Sequence, residues 1–303
     1  MNTTTRRHFL QQSTALLAST MLPSWLEAAE IQQKGRFRIG YSSITWGGKD
    51  DIAIKELAAL GYKGIQLRAN TFGPYRNRVS ELRRMLDENG LQLCMFSSGN
   101  VEIAPEKFQQ TIDQHVAHAS FVKALGGSQL QLTNNVRPKD RAPSVEELKR
   151  LSEVMNEIGK QTADMGVQAV YHNHMHQLGE TPEEVDTIVQ AMDPRYVKLL
   201  LDIAHYKQGG GEPEKAVLQY KDILAALHLK DTKPVEGARG YKFVELGQGR
   251  VDVPAVFKAL QKVKFAGWAI VELDGVPDPE KTPAQCAEIN KNYITKTLKY
   301  PLA

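Results

Sequence analysis

Short apolar runs alternate with amphipathic stretches along the chain from about residue 37 to its end. The apolar runs are bounded by glycine or polar residues, a pattern typical of buried parallel strands. We predict eight strands: Phe37–Tyr41, Gly64–Leu67, Leu91–Phe96, Gln129–Leu132, Val167–Tyr171, Val197–Leu201, Ala225–Leu229 and Trp268–Glu272.

The stretches between the strands carry apolar residues at helical spacing, and several of them end at a glycine. A glycine in that position allows the left-handed helix end that turns the chain back into the next strand. Thr181 and Asp252 are predicted helix caps. The predicted helices are Ile52–Leu60, Val79–Asn89, Pro105–Leu125, Val145–Met165, Pro182–Met192, Val253–Val263 and Pro283–Leu298.

Eight strand–helix units in one chain favour an α/β fold of the (β/α)8 TIM barrel type. An open, doubly wound sheet is the main alternative. It is disfavoured because no glycine-rich phosphate loop follows the first strand. The chain has 303 residues, and the alternation continues to its end, so we predict one large domain over residues 31–303.

Polar clusters follow the last four predicted strands, and this is the most informative chemical feature of the chain. Residues that follow the strands of such a barrel converge on one face, where imidazoles and carboxylates can bind a divalent cation. The sequence therefore predicts a metal site there. The clusters are Tyr171–Gln177, Leu201–His205, Leu227–Asp231 and Val271–Asp274.

Three residues are predicted metal ligands because each is polar at the end of an apolar strand. Asp202 and Glu272 are carboxylates that would be costly to bury without a partner. His228 lies between apolar neighbours, one strand–helix unit after Asp202. Glu272 is also a candidate acid/base group, since proton abstraction needs a base beside the cation.

The histidine cluster after the fifth strand is open to more than one reading. Strand alternation directs one set of His172, His174 and His176 towards the pocket. His172 and His174 are candidate proton-transfer residues, and spacing does not decide whether His172, His174 or Gln177 completes the metal shell. The substrate-binding candidates are His205, Lys230 and Trp46.

These motifs, in this order and spacing, resemble the xylose-isomerase-like TIM barrels of the sugar phosphate isomerase/epimerase group. That group includes inosose dehydratases, hydroxypyruvate isomerases and ketose 3-epimerases. The resemblance covers the chain from about Phe37 to its end. It is carried by Tyr171–Met175, Leu199–His205, His228–Asp231 and Leu246–Asp252.

The resemblance implies one divalent cation (manganese, zinc, magnesium or cobalt) held by Glu, Asp, His and Glu. Asp202, His228 and Glu272 match three of these ligands directly. The first Glu has no match, and its place falls to His172 or to Gln177, the latter being our choice from the alignment of motifs. The chain also departs from its relatives at Gln66, where they often carry Glu.

The function implied first is a metal-dependent sugar isomerase or epimerase that abstracts a proton beside a carbonyl. The alternative is a lyase or dehydratase acting on a keto-sugar or 3-keto-glycoside. A histidine in place of the first Glu favours that branch slightly, because it can act as base and acid near neutral pH. A phosphodiesterase and a non-catalytic sugar-binding barrel are weaker alternatives.

The formal net charge of +3 is too small to indicate a nucleic-acid partner. We expect a small carbohydrate as the partner, and we leave a homo-oligomer open.

Residues 1–30 resemble a twin-arginine export signal: Arg6 and Arg7 precede Phe9-Leu10 and a weakly apolar stretch to Leu22. Polar residues interrupt that stretch, so we expect no stable membrane insertion after export. The expected location is the periplasm or the outside of the cell.

The export signal is testable without any knowledge of the reaction. Replacing Arg6 and Arg7 together by lysine should retain the protein in the cytoplasm, as followed by immunoblotting of cell fractions. A matched change of Lys49 to arginine, outside the signal, should leave export intact. Unchanged export of the double variant would contradict the signal.

Overall fold

Eight parallel strands close into one barrel within the residues that the structure, a computed structural model, describes, namely 36–237 and 240–302. Strands adjacent in sequence are neighbours in the barrel, and β10 closes it between β7 and β1, while β8 and β9 form a separate antiparallel hairpin. The strands are β1 Arg38–Ser42, β2 Gly64–Arg68, β3 Gln92–Asn100, β4 Gln129–Thr133, β5 Gln168–His172, β6 Val197–Asp202, β7 Leu224–Leu229, β8 Asp231–Pro234, β9 Tyr241–Val244 and β10 Trp268–Val271.

The described helices connect these strands, and none is long and apolar enough to cross a membrane. Short 3₁₀ turns lie at Ser43–Trp46 and Pro105–Lys107, and a π-helical turn lies at Tyr293–Thr297. The α-helices are α1 Asp50–Ala59, α2 Ala69–Tyr75, α3 Val79–Glu88, α4 Phe108–Ala124, α5 Val145–Ala163, α6 Pro182–Ala191, α7 Ile203–Gln208, α8 Pro213–Gln219, α9 Val253–Lys262 and α10 Pro283–Asn292.

The predicted barrel is confirmed, and each of the eight predicted strands overlaps an observed one. Thr181 and Asp252 cap their helices as predicted: their side chains accept hydrogen bonds from the backbone N–H groups of Glu184 and Ala255. The sequence did not indicate α2, α7, α8 or the β8–β9 hairpin. These elements have four to seven residues, too few for a hydrophobic period to show.

Side chains alternate between the two faces of the sheet at the C-terminal ends of β5, β6, β7 and β10, and this alternation positions the site. A small apolar cluster separate from the main core contains Val170, Leu200, Ala226 and Ile270, from β5, β6, β7 and β10. Residues two positions further along the same strands point to the same side of the sheet. Those residues are His172, Asp202, His228 and Glu272. An apolar layer inside the barrel is therefore followed directly by a polar layer at its C-terminal mouth.

A buried hydrogen-bonded group joins β3 to α4. Ser98 Oγ lies 2.6 Å from Nδ1 of His115 and 2.8 Å from Nδ1 of His118. His115 Nε2 lies 3.2 Å from the backbone oxygen of Asn100, so this nitrogen carries the ring proton and Ser98 donates to Nδ1. Burial lowers the pKa of His115 to about 4, and the neighbouring His118 acts in the same direction. Both rings are therefore neutral when the network is intact.

This network predicts a loss of stability in mild acid. A histidine near pKa 4 in the folded state and near 6.5 in the unfolded state binds its proton preferentially after unfolding, so stability falls as the pH falls between these values. His115→Gln should make the unfolding temperature less dependent on pH in that window, as measured by circular dichroism. The exposed His176→Gln is the control and should keep the wild-type slope. Equal slopes for the wild type and His115→Gln would contradict the assignment.

Candidate metal centre

Four side chains from neighbouring barrel strands converge at the C-terminal mouth. One ligating atom from each of His172, Asp202, His228 and Glu272 lies within 4.8 Å of the others, and all four residues are buried. The strand order explains the grouping, because β5, β6, β7 and β10 are consecutive around the barrel. The predicted ligands Asp202, His228 and Glu272 are thus brought together, with His172 as the fourth member.

The atoms that face one another in this cluster lack hydrogen-bond partners among the described residues. They are His172 Nδ1, Asp202 Oδ2 and His228 Nδ1. His228 Nδ1 lies 3.3 Å from Glu272 Oε1 and 3.6 Å from Asp202 Oδ2. Buried polar atoms without partners are costly, and a cation among them would satisfy all of them at once. The donor set of two imidazoles and two carboxylates fits a divalent cation such as zinc or manganese.

The charges of the site lead to the same conclusion. When ionised, Asp202, Glu272 and Asp274 carry three negative charges, and Lys230 contributes one positive charge. The two uncompensated negative charges match one divalent cation. Asp202 and Lys230 are almost fully buried, so an imbalance there would be costly.

Gln66 in the middle of β2 orients two members of the cluster. Its Nε2 donates to Glu272 Oε2 at 3.0 Å, which leaves its Oε1 to accept from His228 Nε2 at 2.9 Å. The proton of His228 is therefore on Nε2, and the lone pair of Nδ1 points into the cluster. Outer hydrogen bonds of this kind fix the tautomer of a ligating histidine.

Backbone groups orient Asp202 in a similar way. Its Oδ1 accepts hydrogen bonds from the N–H groups of Ala204 and His205, at 2.9 and 2.8 Å, and so caps α7. Asn173 pairs with the backbone N–H and oxygen of Asp202 and ties β5 to β6. With Oδ1 occupied, Oδ2 is the oxygen that remains for a cation.

Lys230 supplies the buried positive charge beside the cluster. Its Nζ lies 2.5 Å from Asp274 Oδ1 and 3.1 Å from Glu272 Oε1, and it lies over the ring of Phe243 at 4.2 Å. Burial would lower the pKa of Lys230, but Asp274, Glu272 and Asp202 together raise it above its usual value. Burial would likewise raise the pKa of Glu272, but His228, Lys230 and His172 lower it below its usual range. Glu272 is therefore an ionised carboxylate and a weak base.

A hydrogen bond to the backbone fixes the tautomer of His174. Its Nδ1 lies 2.6 Å from the backbone oxygen of Met175, so Nδ1 carries the proton and Nε2 keeps a free lone pair. Burial lowers the pKa of His174, as does the positive charge of Lys230, which keeps the ring neutral. The ring packs against that of His205 with 3.9 Å between centroids and an angle of 36° between the ring planes. Among the site histidines, His174 is thus the one arranged as a base.

A cavity of about 460 Å³ opens at the mouth of the barrel beside this cluster. His172, His174, Glu272 and Asp274 line one side of it. Its volume lies within the range typical of small-molecule sites, which is about 300–1,000 Å³. The arrangement can therefore bring a small substrate to a cation and to a neutral imidazole at the same time.

The structure revises some of the substrate-binding candidates. Trp46 does not line the cavity: its ring packs edge-on against Tyr41, and its Nε1 donates to Glu56 Oε2 at 2.6 Å. We therefore place Trp46 in the core and not among the residues that contact substrate. His205 and Lys230 are buried behind the lining, so they act on the groups that face the cavity.

Gln177 and His172 take different positions at the end of β5. His172 belongs to the convergent cluster, whereas Gln177 follows the strand on a loop whose backbone bridges to Val136. Gln177 does line the cavity, and its buried Oε1 has no partner among the described residues. The geometry therefore favours His172 over Gln177 as the fourth ligand.

Gln66, Asp274 and Phe243 were missing from the predicted site residues. Gln66 is a polar residue inside an otherwise apolar predicted strand, and that polarity is the signal that could have identified it. Phe243 lies on β9 and has no local signal, because only the hairpin brings its ring to 5.1 Å from His205.

The chain belongs to the xylose isomerase-like TIM barrel family, whose model matches residues 54–291. An inosose dehydratase of Clostridium botulinum is 25% identical over 295 residues, covering 86% of this chain and 96% of that protein. In fold, the chain is similar to an IolI protein with a bound zinc atom (TM-score 0.74, 18% identity, 88% and 100% coverage). It is also similar in fold to an L-ribulose 3-epimerase (TM-score 0.71, 15% identity, 87% and 95% coverage).

The fourth ligand can be tested by metal analysis. His172→Ala should weaken the binding of zinc or manganese by about tenfold or more, because even outer-shell changes cost that much. Gln177→Ala should retain the metal, as measured by mass spectrometry of the dialysed protein. Loss of metal from Gln177→Ala with retention in His172→Ala would reverse the assignment.

Proposed function

We propose that the protein is a metal-dependent carbon–oxygen lyase that removes water from a polyhydroxy ketone. The observation that carries this proposal is His174, which carries its ring proton on Nδ1 and lines a cavity beside the four residues of the candidate metal site. The inosose dehydratase relatives support the same reaction class, and inosose itself is a cyclic polyhydroxy ketone.

The cation, held by His172, Asp202, His228 and Glu272, would supply electrophilic polarisation of the carbonyl beside the reacting carbon. His174 Nε2 takes the carbon-bound proton, since the ring is neutral and its Nδ1 is held by Met175. The ammonium group of Lys230 lies behind the cavity lining and holds the carboxylates of Glu272 and Asp274 in place beside the substrate.

The second half of the reaction expels the hydroxyl group on the neighbouring carbon. His174, now protonated, gives its proton to that hydroxyl group, which leaves as water. One C–H bond and one C–O bond break, a carbon–carbon double bond forms beside the carbonyl, and His174 returns to its neutral state. A single imidazole can perform both steps because the proton that it takes from carbon in the first step is the proton that it gives to the leaving hydroxyl group in the second.

Isomerisation or epimerisation is the second candidate. It is suggested by the similarity in fold to an L-ribulose 3-epimerase. Epimerisation needs a proton-transfer group on each side of the reacting carbon. Here His172 occupies the place of the first Glu, and Glu272 is held ionised by Gln66 and Lys230. These contacts favour elimination, which needs one proton-transfer residue, over epimerisation, which needs two.

The reaction class can be tested with the metal-loaded protein in D₂O. Inosose and L-ribulose are supplied, and products are followed by proton NMR and ultraviolet absorbance. We expect an unsaturated ketone from inosose. Deuterium incorporation with an epimer and no loss of water would assign the second candidate. Absence of any change with metal bound would indicate a binding protein instead of an enzyme.

The role of His174 can be tested by one substitution. His174→Gln should lower kcat by about a hundredfold or more, the usual contribution of general base catalysis, while the metal content stays at the wild-type level. His176→Gln is the matched control, because His176 is an exposed histidine two residues along the chain. Full turnover in His174→Gln would remove His174 from the mechanism.

We further propose that this enzyme acts outside the cytoplasm. The support is the sequence of residues 1–30, which lies outside the described residues.

A further inference from the structure

The wall of the cavity formed by β2, β3 and β4 is polar, and the mechanism above does not use it. Side chains of this wall form no hydrogen bond or ion pair with any other described residue. The residues are Arg68, Ser97, Asn100, Gln131 and Thr133.

Three of these residues form one row across neighbouring strands. Arg68 on β2 is in register with Ser97 on β3, and Ser97 is in register with Gln131 on β4. Neighbouring strands lie about 4.8 Å apart, so the row spans about 10 Å, which is comparable with a six-membered polyol ring and its hydroxyl groups. The row lies across β2–β4, whereas the metal cluster lies on β5, β6, β7 and β10.

One end of the row offers a hydrogen-bond acceptor and the other end offers donors. Gln131 is 3% exposed, and its Oε1 is a buried acceptor without a donor among the described residues. Arg68 is half-buried, and its guanidinium donors lack a carboxylate partner among those residues. A buried acceptor without a donor costs about 1–3 kcal/mol, so a ligand group that donates to Gln131 would be favoured.

We propose that this row is a subsite that recognises the hydroxyl groups of a neutral polyol ring, and that Arg68 and Gln131 determine specificity there. A hydroxyl group can donate to Gln131 Oε1 and accept from Arg68 or Ser97, so one kind of group serves the whole row. A carboxylate only accepts, and it would leave Gln131 Oε1 unpaired. This inference rests on the proposed function, since it concerns the part of the substrate that does not react.

The subsite can be tested by binding with ligands that have no ketone and therefore cannot react. Calorimetry with the manganese-loaded full chain compares myo-inositol, a neutral cyclic polyol, with quinate, a cyclic polyol that carries a carboxylate. We expect the wild type to bind myo-inositol more tightly than quinate. Gln131→Met and Arg68→Met should each weaken myo-inositol binding by about tenfold, the usual effect of losing one buried hydrogen bond.

Gln129→Met is the matched control. Gln129 lies two residues earlier on β4 and also has a buried Oε1 without a partner, but it lines a different cavity. It should leave myo-inositol binding unchanged. Metal content and unfolding temperature are measured for every variant, and the half-buried Arg68 supplies an independent result if Gln131→Met does not fold.

Tighter binding of quinate in the wild type, lost in Arg68→Met, would overturn the proposal and assign a carboxylate site. Failure of myo-inositol to bind the wild type, or unchanged binding in both folded variants, would also overturn it. The lyase reaction is scored separately with inosose. Polyol binding that depends on Arg68 and Gln131 without any turnover would therefore leave the subsite standing while the proposed function fails.

Discussion

The compensation of buried charge is the constraint on which the mouth of this barrel depends. Asp202, Glu272 and Lys230 are almost completely withdrawn from water, and an unpaired charge there would cost several kcal/mol. The surrounding hydrogen bonds satisfy part of this buried charge. Gln66 holds one oxygen of Glu272, and the first turn of α7 holds one oxygen of Asp202. What remains is a set of inward lone pairs suited to one divalent cation.

The β8–β9 hairpin belongs to the same arrangement. Phe243 covers Lys230 on one side and contacts His205 on another, which keeps water away from the ammonium group and strengthens its interaction with Asp274 and Glu272. Asp231 fixes the segment beyond the hairpin by accepting hydrogen bonds from the backbone N–H groups of Gly247, Gly249 and Val251. The β8–β9 hairpin, which the sequence did not indicate, thus shields the charged groups of the site from water.

The presence of His172 in the convergent cluster has consequences beyond metal binding. A carboxylate in that position could bind the cation and exchange a proton with substrate, whereas a buried imidazole whose pKa is far below its usual value stays neutral. In the proposed reaction, proton transfer then passes to His174, which is next but one along the chain and lines the cavity. The polar row on β2–β4 contains no carboxylate or imidazole among the described residues, and this supports the elimination that we propose.

Much of the barrel and three residues of its candidate metal site follow from the sequence alone. Buried parallel strands must be apolar, so a carboxylate or imidazole that ends such a strand is conspicuous, and strand periodicity places Asp202, His228 and Glu272 on one side of the sheet. The interpretation of residues 1–30 and the domain boundary at residue 31 also rest on sequence alone and stay predictions. Short elements such as α7 and the hairpin carried no such signal, because too few residues define their period.

Only the tertiary structure distinguishes candidate residues that the sequence pattern ranks equally. His172 and Gln177 both follow β5, and spacing ranks neither above the other. Closure of the barrel brings His172 within 4.8 Å of Asp202, His228 and Glu272 and leaves Gln177 on a loop. The same closure places Gln66 against His228, although 162 residues separate them in sequence. It also buries Trp46 in the core, because contacts between distant segments depend on packing and not on local pattern.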